Sequence, residues 1–308
     1  MRITHGDLDR FVEQVRPYTE YGQIVEYIPA LAKVDPSQVS IALHMLEGEC
    51  VTAGDTEETF TIQSISKVLS LAYILMERGE AEVFHRVGME PTGDPFNSIA
   101  KLETNRPNKP LNPMINAGAL AVTALMPGDG LEERWERFRK FLSALTDKDT
   151  LTFNDEVQQS ELETADLNRS LAYFLRQHQV IQGDVEELLQ LYTRQCSIEM
   201  NCQELARIGA VFARDGICPT SGESILPPYI VRICKTFMVT CGMYNASGEF
   251  AIKVGIPAKT GVSGGILGIV PGVCGIGVYS PALDEKGNSL AGWKLMELIS
   301  RTYDFSMF

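Results

Sequence analysis

A serine and a lysine stand three residues apart in "FTIQSISKVLSLAYIL", residues 60–75, and together they have the makings of a nucleophile and its base. A helix turns about 100° per residue, so Ser64 and Lys67 fall about 60° apart on one face, whereas Ser66 lies nearly opposite Ser64. The run Val68, Leu69, Leu71, Ala72, Ile74 and Leu75 reads as a buried helix. A cation at the head of such a core is costly unless it is paired or functional. Ser64 falls where the helix should begin, where free N–H groups and the helix dipole favour negative charge. A serine there can attack a carbonyl, and its own N–H can help to hold the oxyanion. A lysine at i+3 can take the proton if burial lowers its pKa. The alternative is an N-cap serine with a lysine that reaches solvent, and S-x-x-K alone occurs often by chance.

A second signal lies far downstream, in "AKTGVSGG", Ala258 to Gly265. K-T-G on a strand after S-x-x-K is the other half of the arrangement found in penicillin-recognising serine enzymes. An edge strand there offers a backbone N–H to an oxyanion, and its glycines let a substrate come close. The alternatives are a plain turn at Gly261, Gly264 and Gly265 and a solvated charge at Lys259.

These residues need elements to hold them. Residues 7–34 show helical spacing broken near Pro17 and Gly22, and 37–46 and 49–55 read as two strands joined by a short turn. Residues 130–215 are mostly helical in pattern. "EFAIKVGIPAKTGVSGGILGIVPGVCGIGVYSP" has β-type runs punctuated by glycine, and "SLAGWKLMELISRTY" is helical again. Strands at both ends can complete one antiparallel sheet with the terminal helices packed on it, and the helical middle forms a second lobe. The expected fold is α/β of the α+β type: one domain over 1–308, an α/β lobe from about 1–70 plus 220–308, and a helical lobe from about 71–219. The interface between two such lobes is a common place for a binding site.

Composition excludes several classes. Apolar residues make up 44% of the 308, enough for a sizeable core, and the formal charge is 27 − 40 = −13. That balance argues against nucleic-acid or anionic-membrane partners, which need positive surface. "MRITHGDLDRFVEQ" contains no apolar leader, and no segment approaches the roughly 18 apolar residues of a membrane span. Seven cysteines without C-x-x-C spacing read as cytosolic free thiols. The four histidines are scattered, so neither a metal site nor a histidine triad has sequence support.

Longer stretches resemble the serine-dependent glutaminases: "VEYIPALAKVDP" (25–36), "QSISKVLSL" (63–71), "NPMINAGAL" (112–120) and "CGMYNASGEFAIKVGIPAKTGVSGGI" (241–266), joined by "QSELETADLNRSLAYFL" (159–175) and "CSIEMNCQELARIGAVFA" (196–213). The resemblance implies a β-lactamase/transpeptidase-like fold and hydrolysis of L-glutamine to L-glutamate and ammonia, with no metal or organic cofactor. It implies Ser64 as nucleophile, Lys67 as base, and Tyr27 and Tyr244 beside them. It also implies Asn116, Glu161, Asn168, Tyr192, Tyr244 and Val262 around the substrate, with Val262 acting through its N–H. K-T-G stands where many members have K-S-G. The family further implies a homodimer or homotetramer, and the N-terminal stretch and free thiols read as cytoplasmic.

The residue types suit those roles. Glu161 can meet the α-ammonium of glutamine, and Asn116, Asn168 and Tyr192 can donate to its α-carboxylate. Taken singly, Asn116 could serve a turn, Glu161 and Asn168 could be solvated, and the tyrosines could be packing residues. Two other readings of the chain are a β-lactamase or D,D-peptidase, which shares S-x-x-K and K-T-G, and a non-catalytic scaffold that keeps the fold. The former works outside the cytosol, and no S-D-N is present.

Overall fold

The computed structural model describes residues 3–104 and 106–308. Met1 and Arg2, which open the stretch read as lacking a leader, lie outside the described residues. The strands are β1 (Ser40–Met45), β2 (Cys50–Gly54), β3 (Phe60–Thr61), β4 (Glu199–Met200), β5 (Ala258–Thr260), β6 (Gly265–Val270) and β7 (Cys274–Tyr279). The first seven helices are α1 (His5–Val15), α2 (Ser66–Arg86), α3 (Ala100–Thr104), α4 (Asn116–Thr123), α5 (Gly130–Thr146), α6 (Asp155–Glu163) and α7 (Asp166–Gln177). They continue with α8 (Val185–Cys196), α9 (Cys202–Ala213), α10 (Pro228–Cys241), α11 (Ser247–Lys253) and α12 (Leu290–Tyr303).

The expected sheet forms from the two ends of the chain. Its order is β2-β1-β7-β6-β5, antiparallel throughout, with Ser40 opposite Tyr279 where the N-terminal hairpin meets the C-terminal strands. Period-two alternation sorts its side chains. Ile41, Leu43, Ile266, Ile276 and Val278 face one core, shared with α1, α11 and α12. Ala42, Leu267, Ile269 and Tyr279 face a second core, shared with α2, α9 and the helical lobe. β5, which carries the K-T-G motif, is an edge strand, as the sequence suggests.

Helix α9 lies almost backbone to backbone on β7. A Cβ at Gly275 would sit 2.1 Å from Ala206 O and 2.1 Å from Ala210 N, so only glycine fits there. The other face is closed by α1, whose first turn is fixed by a capping box between Thr4 and Asp7, and by α12.

One local reading is corrected. Glu249–Lys253 belongs to α11, not to a β-type run. Phe250 packs edge-on against Trp293 with centroids 4.8 Å apart, and Lys253 pairs with Glu249 at 2.7 Å across one helical turn. Tertiary packing and an i,i+4 ion pair override the alternating pattern of "EFAIK". Phe60–Thr61 forms a short strand paired with Glu199–Met200. No helix among the described residues is long and apolar enough to cross a membrane.

Candidate active site

The path to Ser64 begins in that short pairing. Ile62 N donates to Ile198 O at 2.9 Å, and the Phe60 ring stacks on Tyr279 of β7 at 4.4 Å. The chain then turns from strand to helix within a single residue. Gln63 takes φ 47°, a left-handed conformation that costs free energy in a non-glycine residue and gathers at functional sites. A 3₁₀ turn over Gln63–Ile65 carries Ser64 into α2. Ser66 Oγ donates back to Gln63 O at 2.7 Å, so that hydroxyl is committed to the turn.

Gly261 of the K-T-G motif sits against this turn. A Cβ there would lie 2.6 Å from Ile62 O and 3.3 Å from Gln63 Cβ. Read from the sequence, the glycines here let a substrate come close; in the fold Gly261 lets the backbone of the turn that carries Ser64 come close. Gly261 N donates to Gly265 O and Gly264 N donates to Gly261 O, both at 2.9 Å, and these bonds leave the N–H of Val262 outside the turn's own ladder.

A pocket of about 100 Å³ opens between the K-T-G edge and the helical lobe. Tyr27, Ser64, Asn116, Glu161, Asn168, Tyr192 and Val262 all line it. Lys67 and Tyr244 do not: both are buried behind it, and they connect to it through other side chains. Lys67 Nζ donates to Asn116 Oδ1 at 2.6 Å rather than to Ser64, and Asn116 Nδ2 donates onward to Asn168 Oδ1 at 2.9 Å. Asn116 therefore opens α4 with its amide bridging the lysine and the helical lobe, and it serves no mere turn. The Tyr244 ring lies against Phe96 at 4.5 Å. Its hydroxyl faces that of Ser64 without closing a hydrogen bond. Tyr27 exposes more than half of its surface at the mouth, while its hydroxyl end lies deep enough that burial, then Tyr244 and Glu161, raise its pKa.

Burial sets the electrostatics. Lys67 is 1% exposed, and loss of hydration lowers its pKa to about 8 against the opposing pull of Cys196 and Glu161. Glu161 is buried rather than solvated. Desolvation raises its carboxyl to about 7, opposed by Gln63, Lys67 and Cys196. Its Oε2 has no hydrogen-bond partner among the described residues, so the pocket holds an acceptor for a donor from elsewhere. Tyr192 and Cys196 share the pocket wall, and burial pushes both well up.

Three residues at the site escaped the sequence reading. Lys259 is fully buried, not solvated. Its Nζ donates to Thr260 O at 2.7 Å and lies 4.6 Å over the Tyr244 ring, and burial, then the charge of Lys67, depresses its pKa far below the usual lysine value. The K-T-G motif marks it in the sequence. Gln63 and Cys196 carry no such signal: one is set by a strained turn, the other by the meeting of α8 with α2.

Comparison with known proteins places this geometry in context. The family model described as glutaminase matches residues 22–308. The chain is 62% identical to the glutaminase of Geobacillus thermodenitrificans over 302 residues, covering 98% of each. A crystal structure of a Bacillus glutaminase in 4.3 M NaCl superposes with a TM-score of 0.92 at 43% identity, covering 98% of both chains. The Bacillus subtilis glutaminase in covalent complex with 5-oxo-L-norleucine, formed by reaction with 6-diazo-5-oxo-L-norleucine, superposes with a TM-score of 0.88 at 40% identity, again over 98% of both.

Proposed function

The chain belongs to the glutaminase family of amidohydrolases, and we propose that it hydrolyses L-glutamine to L-glutamate and ammonia through a glutamyl ester on Ser64. The single observation that carries the mechanism is a buried lysine, drawn down to about 8, one helical turn from a serine at the pocket wall. At that value a useful fraction of Lys67 is neutral near physiological pH and can accept the serine proton. Ser64 Oγ bonds to the side-chain carbonyl carbon, and the oxyanion is met by the N–H groups of Ser64 and Val262. Tyr244, or Tyr27 from the mouth, relays the serine proton from Lys67 to the departing nitrogen. Water then cleaves the ester and returns the proton to Ser64.

Glu161 gives the substrate its orientation. An α-ammonium brought to its unpaired Oε2 favours the ionised carboxylate and offsets the desolvation that holds the carboxyl near 7. Asn116, Asn168 and Tyr192 meet the α-carboxylate. Lys259 packs against the back of the Tyr244 ring and holds that side chain toward the pocket. The reading extends to a single domain with a sheet lobe and a helical lobe, in a cytoplasmic homodimer or homotetramer; light scattering of the purified protein checks the oligomer.

Treatment with 6-diazo-5-oxo-L-norleucine followed by peptide mass spectrometry tests the central claim. The expected result is one adduct on Ser64, blocked by glutamate and missing from Ser64→Ala. An adduct elsewhere, with glutamine turnover intact, overturns the assignment of the nucleophile.

A further inference from the structure

A second and much larger cavity adjoins the pocket. It is a groove of about 880 Å³, and it shares Tyr27, Phe96 and Val262 with the pocket that holds Ser64. None of Asn116, Glu161, Asn168 or Tyr192 lines it. The groove therefore leads away from the amino-acid end of the site and starts at the residue whose N–H faces the oxyanion.

It also runs past the proposed proton donor. Asn245 and Gly287 belong to its wall, and a Cβ at Gly287 would stand 3.5 Å from Tyr244 Cε2 and 3.8 Å from Val262 Cγ1. A nitrogen protonated from the Tyr244 side leaves toward this wall. The two sides of the groove are fastened together, since Gln23 and Leu283 exchange backbone hydrogen bonds at 2.8 Å in both directions. The space is thus part of the folded framework.

Its charge is one-sided. Among the described residues, Glu26, Asp284 and Glu285 line it against one cation, Lys286, which is itself drawn to Glu249 at 3.4 Å. Asp284 is partly committed, because its Oδ1 accepts from Lys286 N at 2.8 Å and Asn288 N at 2.9 Å. Glu26 and Glu285 are exposed at the rim. Between rim and pocket the lining is apolar, with Phe96, Ile24 and Val25.

We propose that this groove is a leaving-group subsite, and that the protein also hydrolyses γ-glutamyl amides of alkyl amines that carry a second, distant ammonium. The inference rests on the glutaminase reading of the pocket. The γ-glutamyl head occupies the small pocket, the alkyl chain lies along Phe96 and Val262, and the far ammonium meets Glu26 and Glu285. Ser64 Oγ bonds to the amide carbon and the carbon–nitrogen bond breaks. The nitrogen keeps its electron pair, takes the proton that Ser64 gave up and leaves as the free amine. One water then cleaves the ester to glutamate, so the balance is amide plus water to glutamate plus amine.

The test compares four substrates on the full chain: L-glutamine, the γ-glutamyl monoamide of 1,5-diaminopentane, γ-glutamyl pentylamide and γ-glutamyl-6-aminohexanoate. The expected order among the substituted amides is cationic, then neutral, then anionic. Rim charges in water are each worth a factor of about 1.5 to 5, so the cationic amide should lead the neutral one by about two- to tenfold in kcat/KM. That lead should shrink at about 1 M salt, where charges are screened beyond about 3 Å. Changing Glu26→Gln together with Glu285→Gln should abolish the lead and leave glutamine turnover unchanged. Turnover of glutamine with no amine released from the cationic amide overturns the subsite. So does an anionic amide that is hydrolysed as fast as the cationic one, or a lead that survives the double variant. Failure to turn over glutamine itself strikes the underlying reading instead.

Discussion

Two seams adjoin the central sheet, and both are buried, but they are built on opposite rules. Where α9 meets β7 the contact is nearly backbone on backbone: Gly275 and Gly277 present no side chain to the helix. The polar group at this seam, Ser40 Oγ, finds Cys202 Sγ at 3.1 Å. Where the K-T-G edge meets the helical lobe the chain buries two lysines and a glutamate. Several groups there have no hydrogen-bond partner among the described residues, namely Glu161 Oε2, Tyr244 Oη, Thr260 Oγ1 and Ser263 Oγ. A fold optimised only for stability has no use for the second seam, because each unpaired buried polar atom costs about 1–3 kcal/mol. The first seam is made to hold; the second is made to receive something.

That contrast predicts different ways to fail. Ser64→Ala should lower glutamine turnover by at least about 10⁴-fold, as removal of a serine nucleophile does. The midpoint of thermal unfolding should move little, since one hydroxyl is lost and no packing changes. A large loss of stability in Ser64→Ala would mean that the second seam also holds the fold. Gly275→Ala should do the reverse. A Cβ at 2.1 Å from Ala206 O must force α9 off the sheet, at a cost of about 3 kcal/mol or more, seen as a lower unfolding midpoint and loss of soluble protein. If Gly275→Ala is as stable as the parent, the tight seam does not hold the fold.

Much of both seams is legible in the sequence, for reasons that are local. S-x-x-K works because helix periodicity places i and i+3 on one face whatever surrounds them. The sheet follows from glycine-punctuated apolar runs at one end of the chain and a hairpin at the other. What stays hidden depends on the packing of distant parts. "EFAIK" alternates like a strand and folds as a helix because Phe250 meets Trp293. Gln63 is not a residue type that signals a left-handed turn; it is forced there between β3 and α2. Lys259 sits in a motif visible in the sequence, but its burial under Tyr244 depends on α10 and the 3₁₀ turn at Tyr244–Ala246, which no short window contains. Burial of charge is the feature a sequence hides best and the one that marks this site.

Glu161→Gln probes the receiving seam at intermediate strength. Loss of a charge-assisted hydrogen bond to the α-ammonium is worth about 1.5–3 kcal/mol, so kcat/KM for glutamine should fall by roughly 10- to 150-fold. A substrate with its α-amino group capped should hurt the parent more than the variant; equal sensitivity removes Glu161 from the site. The same seam should titrate. Lys67 must lose its proton to act as a base, which happens above about 8, and Glu161 must lose its own to hold a cation, which happens above about 7. Both requirements favour higher pH. kcat/KM should therefore rise through this range, with a slope on logarithmic axes approaching two below about 7, and Glu161→Gln should reduce that slope to one. A profile flat from about pH 6 to 9 would leave no role for either depressed or raised group.

The smallest effect separates the seams most directly, because it concerns stability alone. Thr260 is fully buried, and its Oγ1 has no partner among the described residues. Thr260→Val exchanges that hydroxyl for a methyl of nearly the same shape and removes a polar group from the interior without opening a cavity. The expected gain is about 1 kcal/mol, read as a higher denaturant midpoint with an unchanged m-value. Ser40 is equally buried, but its hydroxyl is bonded to Cys202 across the tight seam. Ser40→Ala loses that bond and leaves a small void, so stability should fall by about 0.5–1.5 kcal/mol. Opposite signs are the point: the same kind of change, hydroxyl to methyl or hydrogen in one buried sheet, should stabilise where the chain waits for a ligand and destabilise where it is packed against itself. Two losses of equal size would show that Thr260 is satisfied in solution, by water held at the K-T-G strand, and that the receiving seam is less strained than its unpaired atoms suggest.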